Sequence, residues 1–91
     1  MSKTIYLATT EGCASCRIML NILTKVYEYN NHSFGVVVTN YTELPSWIST
    51  NVPLTDFPTI IFVEDDVVKY HFSGTKGVVR LQKDIIDFKF N

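Results

Sequence analysis

The 91-residue sequence is poor in several residue types: it has two cysteines, four glycines, three prolines and one tryptophan. Two cysteines are too few for a scaffold held together by several disulfides. No stretch approaches the roughly 18 consecutive apolar residues of a membrane-spanning helix. The net charge of −1 gives no excess positive charge to attract nucleic acid or an anionic membrane surface. We therefore expect no nucleic-acid partner, no membrane partner, and recognition of other partners by local shape.

The composition is sufficient for one small domain. Hydrophobic residues make up 46% of the chain, whose length is near the lower range for folding without disulfides or metals. We expect residues 1–91 to form a single, monomeric domain. The sequence shows neither a secretory signal pattern nor a lipidation signal, which favours a cytoplasmic protein whose thiols are kept reduced.

Both cysteines lie in the segment Cys13-Ala14-Ser15-Cys16, between a short apolar run and an amphipathic run. The first run predicts a β-strand, and the second has apolar residues at helical spacing. A thiol in the first turn of a helix faces free backbone N–H groups and the positive end of the helix dipole, which stabilise a thiolate. The pattern predicts that Cys13 attacks a disulfide and that Cys16 resolves the mixed disulfide.

Two other uses of the cysteine pair have to be weighed. A structural disulfide would suit a secreted protein, but no secretion signal is visible. A zinc site would need two further ligands, and His32 and His71 are not spaced as a ligand pair. A redox dithiol is therefore preferred, and we expect neither a metal nor an organic cofactor.

The rest of the pattern predicts an α/β fold with the element order β-α-β-α-β-β-α. Strands are expected at about residues 5–9, 34–39, 59–63 and 67–72, and helices at about 14–29, 42–50 and 75–88. The second strand follows a helical crossover and should be parallel to the first, whereas the last two should form an antiparallel hairpin. These elements build a four-stranded mixed sheet flanked by three helices.

Three local expectations accompany this assignment. Thr42 should cap the short middle helix, with Pro45 in its first turn. Glu64-Asp65-Asp66 should form a solvated hairpin tip. The apolar side of the first helix should be widened by three further residues: Ile18, Ile22 and Tyr29.

With this order, the chain resembles the thioredoxin-fold superfamily over nearly its whole length. The dithiol follows the first strand, Phe57-Pro58-Thr59 is similar to the segment that carries the family's cis-proline, and Gly74 follows the hairpin where thioredoxins have a glycine. The resemblance implies catalytic roles for Cys13 and Cys16. It also implies that the substrate binds at three residues: Phe57, Pro58 and Gly74. Four further residues would support the site: Gly12, Ser15, Arg17 and Thr59.

The chain departs from the family pattern at the dithiol, at Leu7 in the first strand and in the segment after the hairpin. Gly12 replaces the tryptophan of thioredoxins, and neither residue between the cysteines is proline. Leu7 stands where thioredoxins bury an aspartate that handles the resolving thiol's proton, so proton transfer should fall to water, Glu11 or Ser15. The glutathione-binding glycine motif of glutaredoxins has its nearest counterpart in the segment Ser73-Gly74-Thr75-Lys76, which lacks the acidic residue.

The resemblance implies a protein-disulfide reductase that exchanges electrons with a protein disulfide substrate. Its electron donor would be a thioredoxin-reductase-like enzyme or glutathione. Two alternatives stay open at this point: a glutathione-dependent glutaredoxin, and a non-catalytic thioredoxin-fold module that binds or regulates a partner.

Overall fold

The computed structural model describes residues 2–90, with the backbone alone at positions 89 and 90. Its strands are Lys3–Thr9 (β1), Gly35–Asn40 (β2), Thr59–Glu64 (β3) and Val67–Ser73 (β4). Its α-helices are Ala14–Tyr29 (α1), Ser46–Ser49 (α2) and Val78–Phe90 (α3), and a 3-10 turn spans Tyr41–Glu43. The predicted order of strands and helices is confirmed.

The four strands form one mixed sheet in the order β2-β1-β3-β4. β1 is parallel to β2 and antiparallel to β3, and β3 is antiparallel to β4. At the end of β1, Thr9 is aligned with Asn40 of β2, and Ala8 is aligned with Thr59 of β3. Because of this register, the loops that follow β1 and β2 and the loop that precedes β3 meet at one end of the sheet.

Each face of the sheet carries its own hydrophobic core. The core on one face includes the inward residues of α1 and α3, and the core on the other includes Ile48 of α2. β3 contributes Ile60 to the first core and Ile61 to the second, and all six of its residues are buried. Burial of each such isoleucine contributes roughly 1.5–3 kcal/mol. β3 therefore contributes to both cores, as does β1, with Leu7 in the first core and Ala8 in the second.

The middle helix differs from its prediction. Thr42 lies in the separate 3-10 turn, where the Asn40 side chain accepts a hydrogen bond from its N–H, and α2 is a single turn that begins after Pro45. Leu44, between the two, is extended with φ −64° and ψ 144°. A residue that precedes proline is pushed out of the helical region by the proline ring, so one continuous helix cannot pass this point.

The bounds of α1 are confirmed, but the prediction that three further residues widen its apolar side is wrong for two of them. Ile18 and Tyr29 are 55% and 71% exposed, whereas Ile22 is half-buried and packs against the first core. The fully packed residues of α1 form a narrow stripe at spacings of three and four residues: Cys16, Met19, Leu23 and Val26. Ile18 and Tyr29 lie outside this stripe.

The hairpin tip is shorter than predicted. Asp65 and Asp66 form the turn with φ of +51° and +65°, and Glu64 is the buried last residue of β3. Two successive residues with positive φ are sufficient to reverse an antiparallel pair, so Glu64 stays in the sheet. Other boundaries also shift: β1 begins at Lys3, two residues earlier than predicted, β2 begins one residue later, after the buried Phe34, and α3 begins at Val78, three residues later.

Candidate active site

The first helix begins at one of the two cysteines. Cys13 is the N-cap of α1, with φ −96° and ψ 97°, and its Sγ accepts a hydrogen bond from the backbone N–H of Cys16 at 3.1 Å. Gly12, with φ +66°, makes the turn between β1 and this cap, in a conformation that costs a side-chain-bearing residue about 1–2 kcal/mol. The position of Cys13 at the free N–H groups of a helix is therefore built into the backbone.

Cys13 and Cys16 form a disulfide, with their Cα atoms 5.3 Å apart. The two sulfurs differ in access: Cys13 is partly exposed, whereas Cys16 is 5% exposed. The hydroxyl oxygen of Ser15 lies 3.6 Å from the Cys13 Sγ. A thiol or a disulfide from another molecule can therefore approach Cys13 more readily than Cys16.

An open depression of about 240 Å³ lies beside the disulfide. It brings together several of the residues singled out from the sequence, among them Gly12 and the exposed Arg17. Its lining consists of Thr9, Thr10, Gly12, Cys13, Cys16, Arg17 and Leu20. We call it the disulfide depression.

The proline segment is also as predicted. The Phe57–Pro58 peptide bond is cis, and the carbonyl of Pro58 accepts a hydrogen bond from the N–H of Gly74 at 2.8 Å. Gly74 has φ +87°, a conformation that suits glycine. Thr59 is buried, and its hydroxyl donates to the carbonyl of Asp56 at 2.7 Å. The contacts of Thr59 thus hold the loop that carries Pro58.

Sequence reasoning missed one residue at this end of the sheet. The ring of Tyr41 packs against that of Phe57, with centroids 4.9 Å apart. Tyr41 also lines a second depression, of about 290 Å³, together with Glu11. Its full lining is Thr10, Glu11, Asn40, Tyr41 and Thr42, and we call it the Glu11 depression. The position of Tyr41 at this end of the sheet could have been inferred from the sequence only through the predicted parallel pairing of β1 with β2.

Leu7, six residues before Cys13, is fully buried in the first core. Within residues 2–90, no group of three or more histidine, cysteine or carboxylate side chains is arranged to hold a metal ion. No helix in the same range is long and apolar enough to cross a membrane.

The mixed sheet, the disulfide at the start of α1 and the cis-proline before β3 define a thioredoxin fold. Solved thioredoxin structures match it closely. A chloroplastic thioredoxin z has a TM-score of 0.78 and 17% identity, with 99% of this chain and 80% of that chain covered. Mitochondrial thioredoxin 3 of Saccharomyces cerevisiae, in its oxidized form, has a TM-score of 0.76 and 23% identity, covering 94% and 78%.

Thioredoxin-2 of the malaria parasite, described as a component of its protein secretion machinery, has a TM-score of 0.78 and 13% identity, with 94% of this chain and 82% of that chain covered. No protein-family model and no curated protein sequence matches the chain. The comparisons therefore establish the fold.

Proposed function

We propose that this chain is a thiol–disulfide oxidoreductase that reduces disulfides of protein substrates through Cys13 and Cys16. The observation that carries the proposal is the difference between the two sulfurs. Cys13 is the accessible N-cap of α1, and Cys16 is nearly buried one turn further along. Attack requires an accessible thiolate, whereas resolution requires a second thiol that only its own partner can reach.

The proposed reaction begins from the reduced dithiol. The Cys13 thiolate attacks one sulfur of the substrate disulfide, and the other substrate sulfur leaves as a thiolate that takes a proton from solvent. Cys16 then loses its proton and attacks the Cys13 Sγ of the mixed disulfide, which releases the second substrate thiolate. Two electrons pass to the substrate, and the chain is left with the Cys13–Cys16 disulfide seen in the structure.

Four features support a thiolate at Cys13. The Cys16 N–H already points at its sulfur, and the Ser15 hydroxyl can donate to it. The start of the 16-residue α1 adds the positive end of a helix dipole. Arg17 lies in the same depression and supplies a positive charge. We assign these residues, with Gly12 in the preceding turn, to the support of the attacking sulfur.

The substrate chain is proposed to bind along Phe57 and Pro58. Phe57 lies outside the ladder of β3, which begins at Thr59, and an extended chain could add strand-like hydrogen bonds there. The hydrogen bond between Gly74 and the carbonyl of Pro58 fixes one side of this segment, and the Thr59 hydroxyl fixes the other.

The electron donor and the compartment belong to the same proposal. We propose that the chain acts in a compartment in which thiols are kept reduced, most simply the cytoplasm. We also propose that it acts as a monomer. The donor is a thioredoxin-reductase-like enzyme or glutathione. Turnover with a thioredoxin-reductase-like enzyme would separate the chain from the alternative of a glutathione-dependent glutaredoxin, which would be recycled by glutathione alone.

Reduction of insulin disulfides tests the reaction and the two roles. The wild-type chain should reduce insulin, and Cys13→Ser should lose this activity. Cys16→Ser should accumulate a mixed disulfide through Cys13, visible by mass spectrometry without reductant. In the reduced wild-type chain, an alkylating reagent should label Cys13 faster than Cys16.

A matched control places the only accessible thiol away from the helix start. Ser33 is an exposed loop residue, so the double variant Cys13→Ser, Ser33→Cys keeps an exposed thiol without the α1 N-cap. It should form the mixed disulfide far more slowly than Cys16→Ser. A wild-type chain that does not reduce insulin would favour the non-catalytic module, and faster labelling of Cys16 would reverse the roles.

A further inference from the structure

The Glu11 depression adjoins the disulfide depression and has a different chemistry. Because Thr9 is aligned with Asn40 in the parallel pair, the loop that follows β1 lies beside the 3-10 turn that follows β2. Thr10 lines both depressions. Only Gly12 lies between Glu11 and Cys13, so their Cα atoms are two peptide units, and at most about 7.6 Å, apart.

The depression offers a carboxylate and an aromatic ring. Glu11 is exposed and has no hydrogen bond or ion pair with any of the side chains that the structure describes, those of residues 2–88. Tyr41 is 36% exposed, and its contact with the ring of Phe57 supports its position. Asn40 Oδ1 accepts hydrogen bonds from the N–H and the hydroxyl of Thr42, at 3.0 and 2.9 Å, which fixes the turn that carries Tyr41.

The lining of the Glu11 depression includes one carboxylate and no cationic side chain. Glu43 and Asp56 are exposed on the two neighbouring loops, one on the turn after β2 and the other directly before Phe57. Arg17 lines the disulfide depression but not the Glu11 depression. A carboxylate and a ring face attract a guanidinium or ammonium group, and the surrounding acids would repel an anionic side chain.

We propose that Glu11 and Tyr41 bind an arginine or lysine side chain of the protein substrate, one or two residues from the cysteine that Cys13 attacks. Each residue of an extended chain advances about 3.3 Å, so one or two residues span roughly 3–7 Å, within the limit of about 7.6 Å between the Cα atoms of Cys13 and Glu11. The inference rests on the proposed function, because it names the kind of substrate that the same site prefers.

Three cyclic disulfide peptides that differ at one position test the preference. Next to the attacked cysteine they carry arginine, citrulline or glutamate, of which citrulline has the shape of arginine without its charge. The second-order rate constant of reduction by the reduced chain is measured by acid quench and chromatography. The arginine peptide should react about three- to tenfold faster than the citrulline peptide, and the glutamate peptide should be slowest.

Variants test whether the preference for the arginine peptide arises in the Glu11 depression. Glu11→Gln should reduce the arginine-to-citrulline ratio to near one, and Tyr41→Leu should lower it while keeping an apolar contact with Phe57. Glu28→Gln removes an exposed carboxylate at the far end of α1 and should leave the ratio unchanged. The ratio within one variant cancels any general effect of Glu11 on the reactivity of Cys13. At about 1 M salt, where the Debye length is about 3 Å, the wild-type ratio should also fall.

The proposal is wrong if Glu11→Gln keeps the wild-type ratio or if Glu28→Gln loses it equally. Bis(2-hydroxyethyl) disulfide, a small neutral substrate, separates this result from failure of the redox function, because its reduction needs no cationic side chain. A redox-independent readout uses the arginine and citrulline peptides with their cysteines replaced by serine. In an NMR titration, the arginine peptide should shift the amides of Glu11 and Tyr41 more than the citrulline peptide, and equal shifts would overturn the assignment.

Discussion

Leu7→Asp would place a carboxyl group in the first core, where thioredoxins bury one. Leu7 is fully buried on β1, aligned with Val38 of β2 and Ile60 of β3. Loss of a fully buried leucine costs about 1.5–3 kcal/mol, and burial of an unpaired polar group adds about 1–3 kcal/mol. The expected loss is thus roughly 2.5–6 kcal/mol, against about 5–14 kcal/mol for the whole stability of a domain of this size.

The loss should depend on pH. Burial disfavours the ionised form, so the introduced carboxyl should have a pKa in the folded chain above its unfolded value of about 3.9. Between these two values the folded chain binds more protons than the unfolded chain. Stability of Leu7→Asp relative to the parent should therefore fall as the pH rises from about 4, by up to about 1.4 kcal/mol per pH unit, until the folded-state pKa is reached.

Urea denaturation of the oxidised protein at several pH values measures the effect. Leu7→Asn introduces a side chain with the shape of aspartate but no ionisable group, so this variant should be destabilised without the pH dependence. Val79→Asp, at a residue that is 83% exposed, should change stability by less than about 0.5 kcal/mol. A Leu7→Asp variant as stable as its parent would refute the burial argument, and an equal pH dependence in Leu7→Asn would refute the role of the carboxyl.

The same variant reports on proton transfer. Release of reduced substrate from a preformed Cys13 mixed disulfide isolates the step that depends on Cys16. Leu7→Asp should speed this step around neutral pH, because the introduced carboxyl can accept the proton that Cys16 loses. An unchanged rate in a destabilised variant would show that solvent already accepts that proton.

Two further predictions concern the segment after β4. Lys76→Met should lower the free energy of unfolding by about 1 kcal/mol near pH 7, because the ion pair with Asp84 at 2.7 Å is lost. Partial burial lowers the pKa of Lys76, but its hydrogen bonds to Asp84 and Tyr70 raise it above 10.5 overall. The difference in urea stability should thus persist through pH 10 and disappear as the pH passes that pKa, and an undiminished difference at higher pH would contradict the assignment. Gly74→Ala should lower the free energy of unfolding by about 1–2 kcal/mol, because φ is +87° and no atom lies within 4 Å of an added Cβ, so the cost comes from the backbone. Gly74→Asn should lower it less, because asparagine tolerates this conformation better. Equal losses for the two variants on urea denaturation would point to another cause.

Local patterns were sufficient to predict the order of the strands and helices and the position of the dithiol. The bounds of α1 follow from the cap at Cys13 and the helical spacing of its apolar residues, both of which lie within one segment of sequence. The two-sided burial of β1 and β3 follows from their continuous apolar runs. The cis-proline came from the resemblance to thioredoxins, because no local pattern in Phe57-Pro58 distinguishes the two isomers.

What the sequence could not supply depends on tertiary packing. α3 and the sheet together cover only part of the surface of α1, and this coverage decides how wide the buried stripe is. The sequence of α1 alone does not show the coverage, so Ile18 was wrongly assigned to the core. Asn40 and Thr42 are both good capping residues, and the choice between them depends on where Pro45 interrupts the helix. The contact between Tyr41 and Phe57 depends on strand register, which joins loops distant in sequence.

The hydrogen bond between the Cys16 N–H and the Cys13 Sγ makes one atom both the cap of α1 and a member of the redox pair. By thermodynamic linkage, any free energy by which the folded backbone stabilises the thiolate is also free energy by which the thiolate stabilises the fold. The reduced chain with Cys13 ionised thus has a stabilising interaction that its protonated form has only weakly. Each reduction or oxidation of the pair therefore changes how firmly the first turn of α1 is held.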